Sequence, residues 1–352
     1  MILHVSNIGT FIPSFVNLIN KRFSSREHKF WLLGEKKLEL YPIEENKNIF
    51  IVKSTIFGQL YAYLRLLILF HNSKKIILHG LFNARILLIL ALCPWLLKKC
   101  YWIIWGADLY QFQEPNIGWK SKLNEKFRKF VIKRIGHLVS YIPGDIERVR
   151  QWYGATGQYH KCLMYLSNVV DIEILGRDTR TKVANSKPHI LVGNSADPSN
   201  NHLKTLEKLL PFKDKNIEIY LPLSYGDKTY ANKVIQQGTN WFEDKIFPMT
   251  SLMSFEEYLD FLNRIDIAVF NHKRQQAMGN TITLLGLGKT VYIRNDTSQW
   301  QLFEYLDVKV KNIEDFDLSV LSEADIESNK KIIEREFNVE KLVSQYSKIF
   351  EQ

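Results

Sequence analysis

Ile190-Leu191-Val192-Gly193-Asn194-Ser195-Ala196-Asp197-Pro198-Ser199-Asn200-Asn201-His202 runs from apolar residues into a cluster of Asn, Ser, Asp and Pro. Leu203-Lys204-Thr205-Leu206-Glu207-Lys208-Leu209-Leu210 follows, with its leucines at helical spacing. The pattern predicts a short buried strand, a tight polar loop and a helix, with Ser199 or Asn200 as the N-cap. In an open parallel sheet, ligands lie beyond the carboxyl ends of the strands, where backbone N–H groups and helix N-termini can face an anion. Asn and Ser also favour turns for local reasons, so the same stretch reads as an ordinary strand–helix connection until its neighbours are considered.

The same alternation extends in both directions. Upstream, strands are expected at Ile2–Val5, Phe30–Leu33, Ile49–Val52, Ile76–Leu78, Tyr101–Ile104 and Leu138–Tyr141, and helices at Ser14–Arg22, Ile56–Phe70 and from residue 84 to Leu97. Downstream, strands are expected at Ile217–Leu221, Ile265–Phe270 and Thr290–Ile293, and helices at Phe255–Asn263 and Thr281–Leu287. Ser254 and Glu257 stand in capping-box spacing. Pro143-Gly144-Asp145 reads as a turn, and the tail from Asp325 as helical, packing back on the first domain. This is the strand–helix order of doubly wound sheets. The fold class is therefore α/β, with two Rossmann-like domains facing a central cleft. Residues 1–176 form the first domain, a polar linker lies at 177–187, residues 188–324 form the second domain, and 325–352 are the tail.

The 352 residues carry a formal net charge of +10, unevenly spread. Residues 1–180 hold 26 lysines and arginines against 13 acids, and the remainder holds 21 against 24. A basic first half suggests that this half meets an anionic surface. Lys120, Lys122, Lys126, Arg128, Lys129, Lys133 and Arg134 crowd one helix, interleaved with Trp119, Leu123, Phe127, Phe130 and Val131. The helix reads as a basic amphipathic surface for anionic lipid headgroups, or as a solvated helix with a core-facing side. No nucleic-acid recognition motif accompanies the charge. Cys93, Cys100 and Cys162 stand in no metal-binding spacing, which fits inert buried thiols in a reducing compartment. The N-terminal apolar run is too short for a signal peptide, and no stretch reaches the length of a spanning helix.

Four motifs occur in order: His79-Gly80-Leu81-Phe82-Asn83; Ile104-Trp105-Gly106-Ala107-Asp108-Leu109-Tyr110; the Ile190 stretch through His202; and Arg274-Gln275-Gln276 with Gly279 and Thr281. Together they resemble glycosyltransferase family 56 over residues 76–300. The resemblance implies a GT-B enzyme without metal or cofactor. It would move an amino-deoxy sugar, such as 4-acetamido-4,6-dideoxygalactose, from its dTDP form to an undecaprenyl-diphosphate-linked saccharide. The reaction would serve common-antigen or O-antigen synthesis at the cytoplasmic face of the inner membrane, with the enzyme peripheral. Ala196, Pro198 and Asn280 depart from the family pattern, and Leu221-Pro222-Leu223-Ser224-Tyr225 follows it loosely.

Transfer from a nucleoside diphosphate sugar requires stabilisation of the departing diphosphate, which backbone amides and a cation can supply. Arg274 is the candidate cation, and Gly279 lets the backbone approach the phosphates. Asn194, Ser195, Asn200, Gln275 and Asn280 are candidate donor ligands. Tyr225 and Phe270 could flank the base, and Glu256, or Glu257 if it is not only a cap, could hold the ribose hydroxyls. Asp108 is the candidate base or acceptor anchor, with an N-cap as the alternative, and His79 is its rival. Asn83, Trp105 and Tyr110 are candidate acceptor contacts. A non-catalytic nucleotide-sugar-binding subunit is the alternative class. A dehydrogenase or epimerase is disfavoured because Ser6-Asn7-Ile8-Gly9 lacks the glycine-rich turn after the first strand.

Overall fold

The computed structural model describes residues 1–44, 46–113, 118–170 and 187–351. Two compact units divide them: Met1–Ser167 with Glu340–Gln352, and Asn168–Val339. The expected linker at 177–187 falls, but for Lys187, outside the described residues.

The first unit carries strands β1 (Ile2–Asn7), β2 (His28–Leu33), β3 (Ile49–Val52), β4 (Lys75–His79), β5 (Cys100–Ile103), β6 (His137–Ser140) and β7 (Gln158–Lys161). They form one parallel sheet in the order β3-β2-β1-β4-β5-β6-β7. Helices α1 (Ile12–Arg22), α2 (Ile56–Asn72), α3 (Ala84–Leu92), α4 (Trp119–Arg134) and α5 (Pro143–Tyr153) complete the winding. Right-handed crossovers running the same way along a sheet put their helices on the same face. Accordingly Ala62, Leu66 and Phe70 of α2, Leu87 and Leu90 of α3, Val131 of α4 and Val149 of α5 share one core with Leu3, Val5 and Trp102. On the other face, α1 contributes Phe15 to an aromatic cluster with His4, Phe30, His79 and Tyr346.

The second unit repeats the plan. Strands β8 (His189–Val192), β9 (Glu218–Pro222), β10 (Ile246–Met249), β11 (Ile267–Phe270), β12 (Thr290–Ile293) and β13 (Lys311–Asn312) are ordered β10-β9-β8-β11-β12-β13, all parallel. Helices α6 (His202–Leu209), α7 (Lys228–Phe242), α8 (Phe255–Arg264), α9 (Met278–Gly286), α10 (Ser298–Tyr305) and α11 (Glu323–Glu336) pack around it. Ile190, Val192, Leu206, Ile219, Val234 and Val269 fill its core. In both sheets the winding direction reverses beside the first strand, at β1/β4 and at β8/β11. Those are the switch points where an open α/β sheet binds ligands.

Several local expectations change. Pro143 is not in a turn but opens α5, where its missing N–H costs no hydrogen bond. The loop after β8 is not capped by Ser199 or Asn200. Asp197 caps a short 3-10 turn at Pro198–Asn200, and Asn201 enters α6 in the left-handed conformation. The tail is not one helix but two, α11 and α12 (Val339–Glu351). Asn338 ends α11 by donating its amide to the carbonyls of Glu334 and Arg335. α11 packs against α9 within the second unit, whereas α12 lies in the first. There the Tyr346 hydroxyl donates to the Met164 carbonyl at 2.7 Å, and Lys75 takes the terminal carbonyls of Ile349 and Phe350. A cation at a helix C-terminus satisfies both the orphan carbonyls and the dipole.

Candidate active site

The loop after β8 is built around Gly193 and Asn200. Gly193 sits at φ +70°, and a Cβ there would lie 2.4 Å from His202 Nε2 and 2.9 Å from Asn200 Oδ1, so only glycine fits. Asn200, 1% exposed, accepts at Oδ1 from the Asn194 backbone N–H (2.8 Å) and from His272 Nε2 (2.9 Å). Its amide donates to Ser195 Oγ and the Asp197 carbonyl. It therefore ties the end of β8 to the end of β11, across the switch point. Burial, with the Arg274 charge second, pushes His272 down to about 3, and burial takes His202 to about 4, so both rings are neutral at pH 7. Burial raises Asp197, but hydrogen bonds from Ser199 and the charge of Arg274 outweigh it, and the carboxyl ends below its ordinary value.

Asn194 faces outward from this hub. Its amide donates to Tyr225 Oη at 3.2 Å, and Gln276 Nε2 reaches its Oδ1 at 3.5 Å. Beside it a cavity of about 310 Å³ opens at the carboxyl ends of β8, β9 and β10, lined by Asn194, Tyr225, Met253, Phe255, Tyr258 and Asn280 among others. Asn280 Nδ2 donates to Tyr258 Oη at 2.9 Å, which anchors α9 to α8 across that wall. The cavity combines aromatic and sulfur-bearing side chains with a few amides, the composition of a site for a flat heterocycle carrying polar edges. α9 begins next to it with no side-chain cap: Ala277, at φ +55°, is its N-cap. The first-turn N–H groups at Met278, Gly279 and Asn280 are thus free of a side-chain cap, and Arg274 lies four residues before the helix. A cation and a helix N-terminus together make an anion site. Buried Asn271 Oδ1 and Gln275 Oε1, in the same connection, have no hydrogen-bond partner, as is expected where a ligand supplies one.

Three expected donor contacts fall elsewhere. Phe270 is 1% exposed, a core residue stacked on His272, and does not line the cavity. Glu256 is exposed in the first turn of α8 and is not among the cavity's lining residues, and the Glu257 carboxylate instead closes the capping box on Ser254 at 2.8 Å. Tyr258, Phe255, Met249 and Met253 are among the lining residues that the sequence reading missed. Their signal was an aromatic and sulfur-bearing run from the end of an unrecognised strand, β10, into α8.

In the first unit, Asp108 is fully buried and every carboxylate oxygen is engaged. Oδ2 accepts from the Leu81 N–H (3.0 Å) and Trp102 Nε1 (2.7 Å), and Oδ1 from the N–H groups of Trp105 and Leu109 (both 3.0 Å). Burial pushes its carboxyl up, against those hydrogen bonds and the Arg128 charge, which pull it down. The expected general base is therefore a clamp that joins the loops after β4 and β5. Arg128, expected on the basic surface of α4, is 1% exposed. It pairs with Glu125 at 3.5 Å and donates to the Asp108 carbonyl.

His79 is also committed. Trp105 Nε1 donates to Tyr165 Oη at 2.8 Å, and Tyr165 Oη contacts His79 Nδ1 at 2.7 Å. Among the described residues, His79 Nδ1 is the acceptor in reach of that buried hydroxyl, and accepting its proton leaves His79 protonated at Nε2. That nitrogen faces His4 Nδ1 (3.2 Å), and His4 Nε2 faces His28 Nδ1 (2.9 Å). The donor-only indole thus assigns one tautomer to all three histidines. Burial lowers all three, His79 to about 3 and His28 to about 4, so they are neutral internal links and not a base facing solvent. Trp105 is half-buried against Phe11 and Phe82, and Tyr110 is buried edge-on against Trp152, so Tyr110 offers no face to a sugar. Asn83 caps α3 through Oδ1 and donates to Tyr63 Oη at 3.1 Å. It lines a cavity of about 470 Å³ with Lys53, Gln59, Tyr63, Phe82 and Arg85. Among the described residues, no group of three or more His, Cys, Asp or Glu could hold a metal ion.

Two parallel α/β sheets of the same winding order, one carrying a cavity beside an uncapped helix N-terminus, make the architecture of a GT-B glycosyltransferase. The family model for "4-alpha-L-fucosyltransferase glycosyl transferase group 56" matches residues 18–337, and the chain belongs to that family of hexosyltransferases. Among solved structures, it is similar to Anabaena HepE in complex with UDP (TM-score 0.66, 12% identity, 99% of each chain covered). It is also similar to sucrose-phosphate synthase from Thermosynechococcus elongatus (TM-score 0.67, 10% identity, covering 100% of this chain and 98% of the other). At such identities the likeness establishes the fold.

Proposed function

We propose that the enzyme transfers an amino-deoxy sugar from its dTDP form to a saccharide carried on a polyprenyl diphosphate, working peripherally at a membrane surface. The observation that carries the donor half is the cavity at the ends of β8, β9 and β10 lying beside the uncapped N-terminus of α9. The base would stand against Tyr225, Tyr258 and Phe255. The diphosphate would lie toward the first-turn N–H groups of α9 with Arg274, and charge developing on the leaving group would strengthen those contacts in the transition state. HepE bound to UDP-glucose supports a nucleotide sugar in this fold. The family description names a fucosyl donor, and 4-acetamido-4,6-dideoxygalactose is a 6-deoxygalactose of the same skeleton. On the acceptor side, the cavity holding Lys53, Arg85 and Asn83 offers two cations for an anionic carrier.

The test is a thermal-shift panel with dTDP, UDP, GDP and CMP, followed by transfer from the dTDP-amino-sugar to a polyprenyl-diphosphate saccharide. Selective stabilisation by dTDP and product formation are expected. Selective stabilisation by UDP or GDP would discard the donor assignment and keep the enzyme class.

A further inference from the structure

Residues 46–107 contain no aspartate or glutamate against eight lysines and arginines. Within that span, α2 turns a large apolar face to solvent. Ile56 and Phe57 are 85% exposed, and Leu60, Tyr61, Leu64 and Ile68 are 58–62% exposed. At 100° per residue these six positions fall within an arc of roughly 140°. The opposite side, Ala62, Leu66 and Phe70, is the one buried in the core. The helix is thus largely apolar, with Gln59 and Arg65 its polar interruptions, but only half covered, where a helix of that composition is ordinarily enclosed.

α3 lies alongside. Arg85 Nη1 donates to Gln59 Oε1 at 2.6 Å near the start of both helices, and Trp95, just past α3, donates its indole N–H to His71 at 3.2 Å near the end of α2. Leu92 and Trp95 extend the exposed apolar surface, at 67% and 60% exposure. α4, packed on the other side of α3, carries exposed Lys122, Lys126 and Lys129. One helical layer therefore presents an apolar stripe beside a row of cations. No described helix is long and apolar enough to cross a membrane.

We infer that the outer face of α2 and α3 is the docking surface for an anionic lipid bilayer, with the apolar stripe entering the acyl boundary and the lysines of α4 resting on the headgroups. The inference rests on the lipid-carrier reading above and adds to it the surface and the lipid chemistry. Exposed apolar area of this extent marks an interaction site. A surface of lysines beside a buried apolar stripe is what an interfacial helix uses on anionic lipid, and an indole at the rim suits the headgroup region. A second copy of the chain fits less well, because a self-paired face would bring two acid-free, cationic surfaces together.

The test is flotation of the full chain with vesicles of mixed phosphatidylglycerol and phosphatidylcholine, or of phosphatidylcholine alone, without nucleotide. Wild type is expected to float with the anionic vesicles and far less with the neutral ones. Phe57→Ser/Leu60→Ser/Leu64→Ser, all at exposed positions, should lower partitioning roughly tenfold or more. Lys122→Glu/Lys126→Glu should lower it roughly fivefold per lysine, and added salt should mask that loss. Both variants should keep the dTDP-induced thermal shift and the wild-type rate on a water-soluble acceptor, which separates docking from transfer. Wild type that stays in solution with anionic vesicles would overturn the inference. So would a triple variant that floats like wild type, or a solution dimer that this variant alone dissolves. Transfer without flotation removes only the docking face, and flotation without transfer removes only the lipid-carrier reading.

Discussion

The two switch points share a topology and use it in opposite ways. In the first unit, the loops after β4 and β5 close on a fully occupied carboxylate, Asp108, while the aromatic–histidine chain runs from Trp105 to His28 through paired ring nitrogens. In the second, Asn200 ties β8 to β11, but Asn194 faces a cavity, α9 starts uncapped, and Asn271 and Gln275 keep unpartnered oxygens. A satisfied hub rigidifies, and an unsatisfied one waits for a ligand. Winding order locates both, and the hydrogen-bond ledger separates them.

The largest expected effect comes from acid. His79 and His28 have folded-state values near 3 and 4, below the ordinary 6.5, so the unfolded chain binds more protons and stability falls as pH drops below 6.5. By pH 5 these two histidines together cost about 4 kcal/mol, at about 1.4 kcal/mol per pH unit each. His4 shifts the same way, as do His137 and His160 in the same unit, against His202 and His272 in the second. Hydrogen exchange at pH 7 and pH 5 should show the first unit losing protection before the second, and the reverse order would break the comparison. Next, Arg274→Ala should lower kcat by about 10²–10³ with an unchanged melting temperature, since its charge acts on the leaving diphosphate. A merely structural arginine would lower the melting temperature instead.

Asp108→Asn should cost about 3 kcal/mol, because an amide NH₂ meets N–H donors that now lack an acceptor. A drop on the order of 10 °C in melting temperature is expected. A stable variant with only a shifted pH–rate profile would restore the carboxylate as a base. Gly193→Ala should cost about 1–3 kcal/mol through its positive φ and the His202 contact. Bound dTDP should partly restore that loss, through mass action on the folded state. Smallest is Tyr258→Phe, which loses one hydrogen bond to Asn280. It should weaken dTDP binding by about 1 kcal/mol, read by calorimetry, and lower stability by about as much.

Much of this was legible in the sequence, for identifiable reasons. Central parallel strands such as Ile190–Val192 and Ile76–Leu78 are buried on both faces and read as unbroken apolar runs. Edge strands β7 and β10 carry polar residues or Pro248, as edges tolerate, and went unread. Candidate site residues were named by their place at strand ends, which is correct for Asn194 and Tyr225 as cavity residues. Strand-end position cannot tell a lining residue from a clamp. Asp108 and Asn194 both follow strands, and only the three-dimensional census of donors shows one saturated and the other open. Likewise α2 was legible as a helix, but its exposed side was not. Its composition is apolar on most sides, and which half is covered depends on a sheet assembled from distant strands.

A donor nucleotide at the switch point of the second unit should protect that region from hydrogen exchange, which mass spectrometry of the full chain with and without saturating dTDP would read. New protection is expected in residues 193–201, 222–225, 249–258 and 274–281, with the loops at 80–83 and 105–109 unchanged. Protection confined to those first-unit loops, with the β8–α9 region exchanging as in the free protein, would contradict that placement.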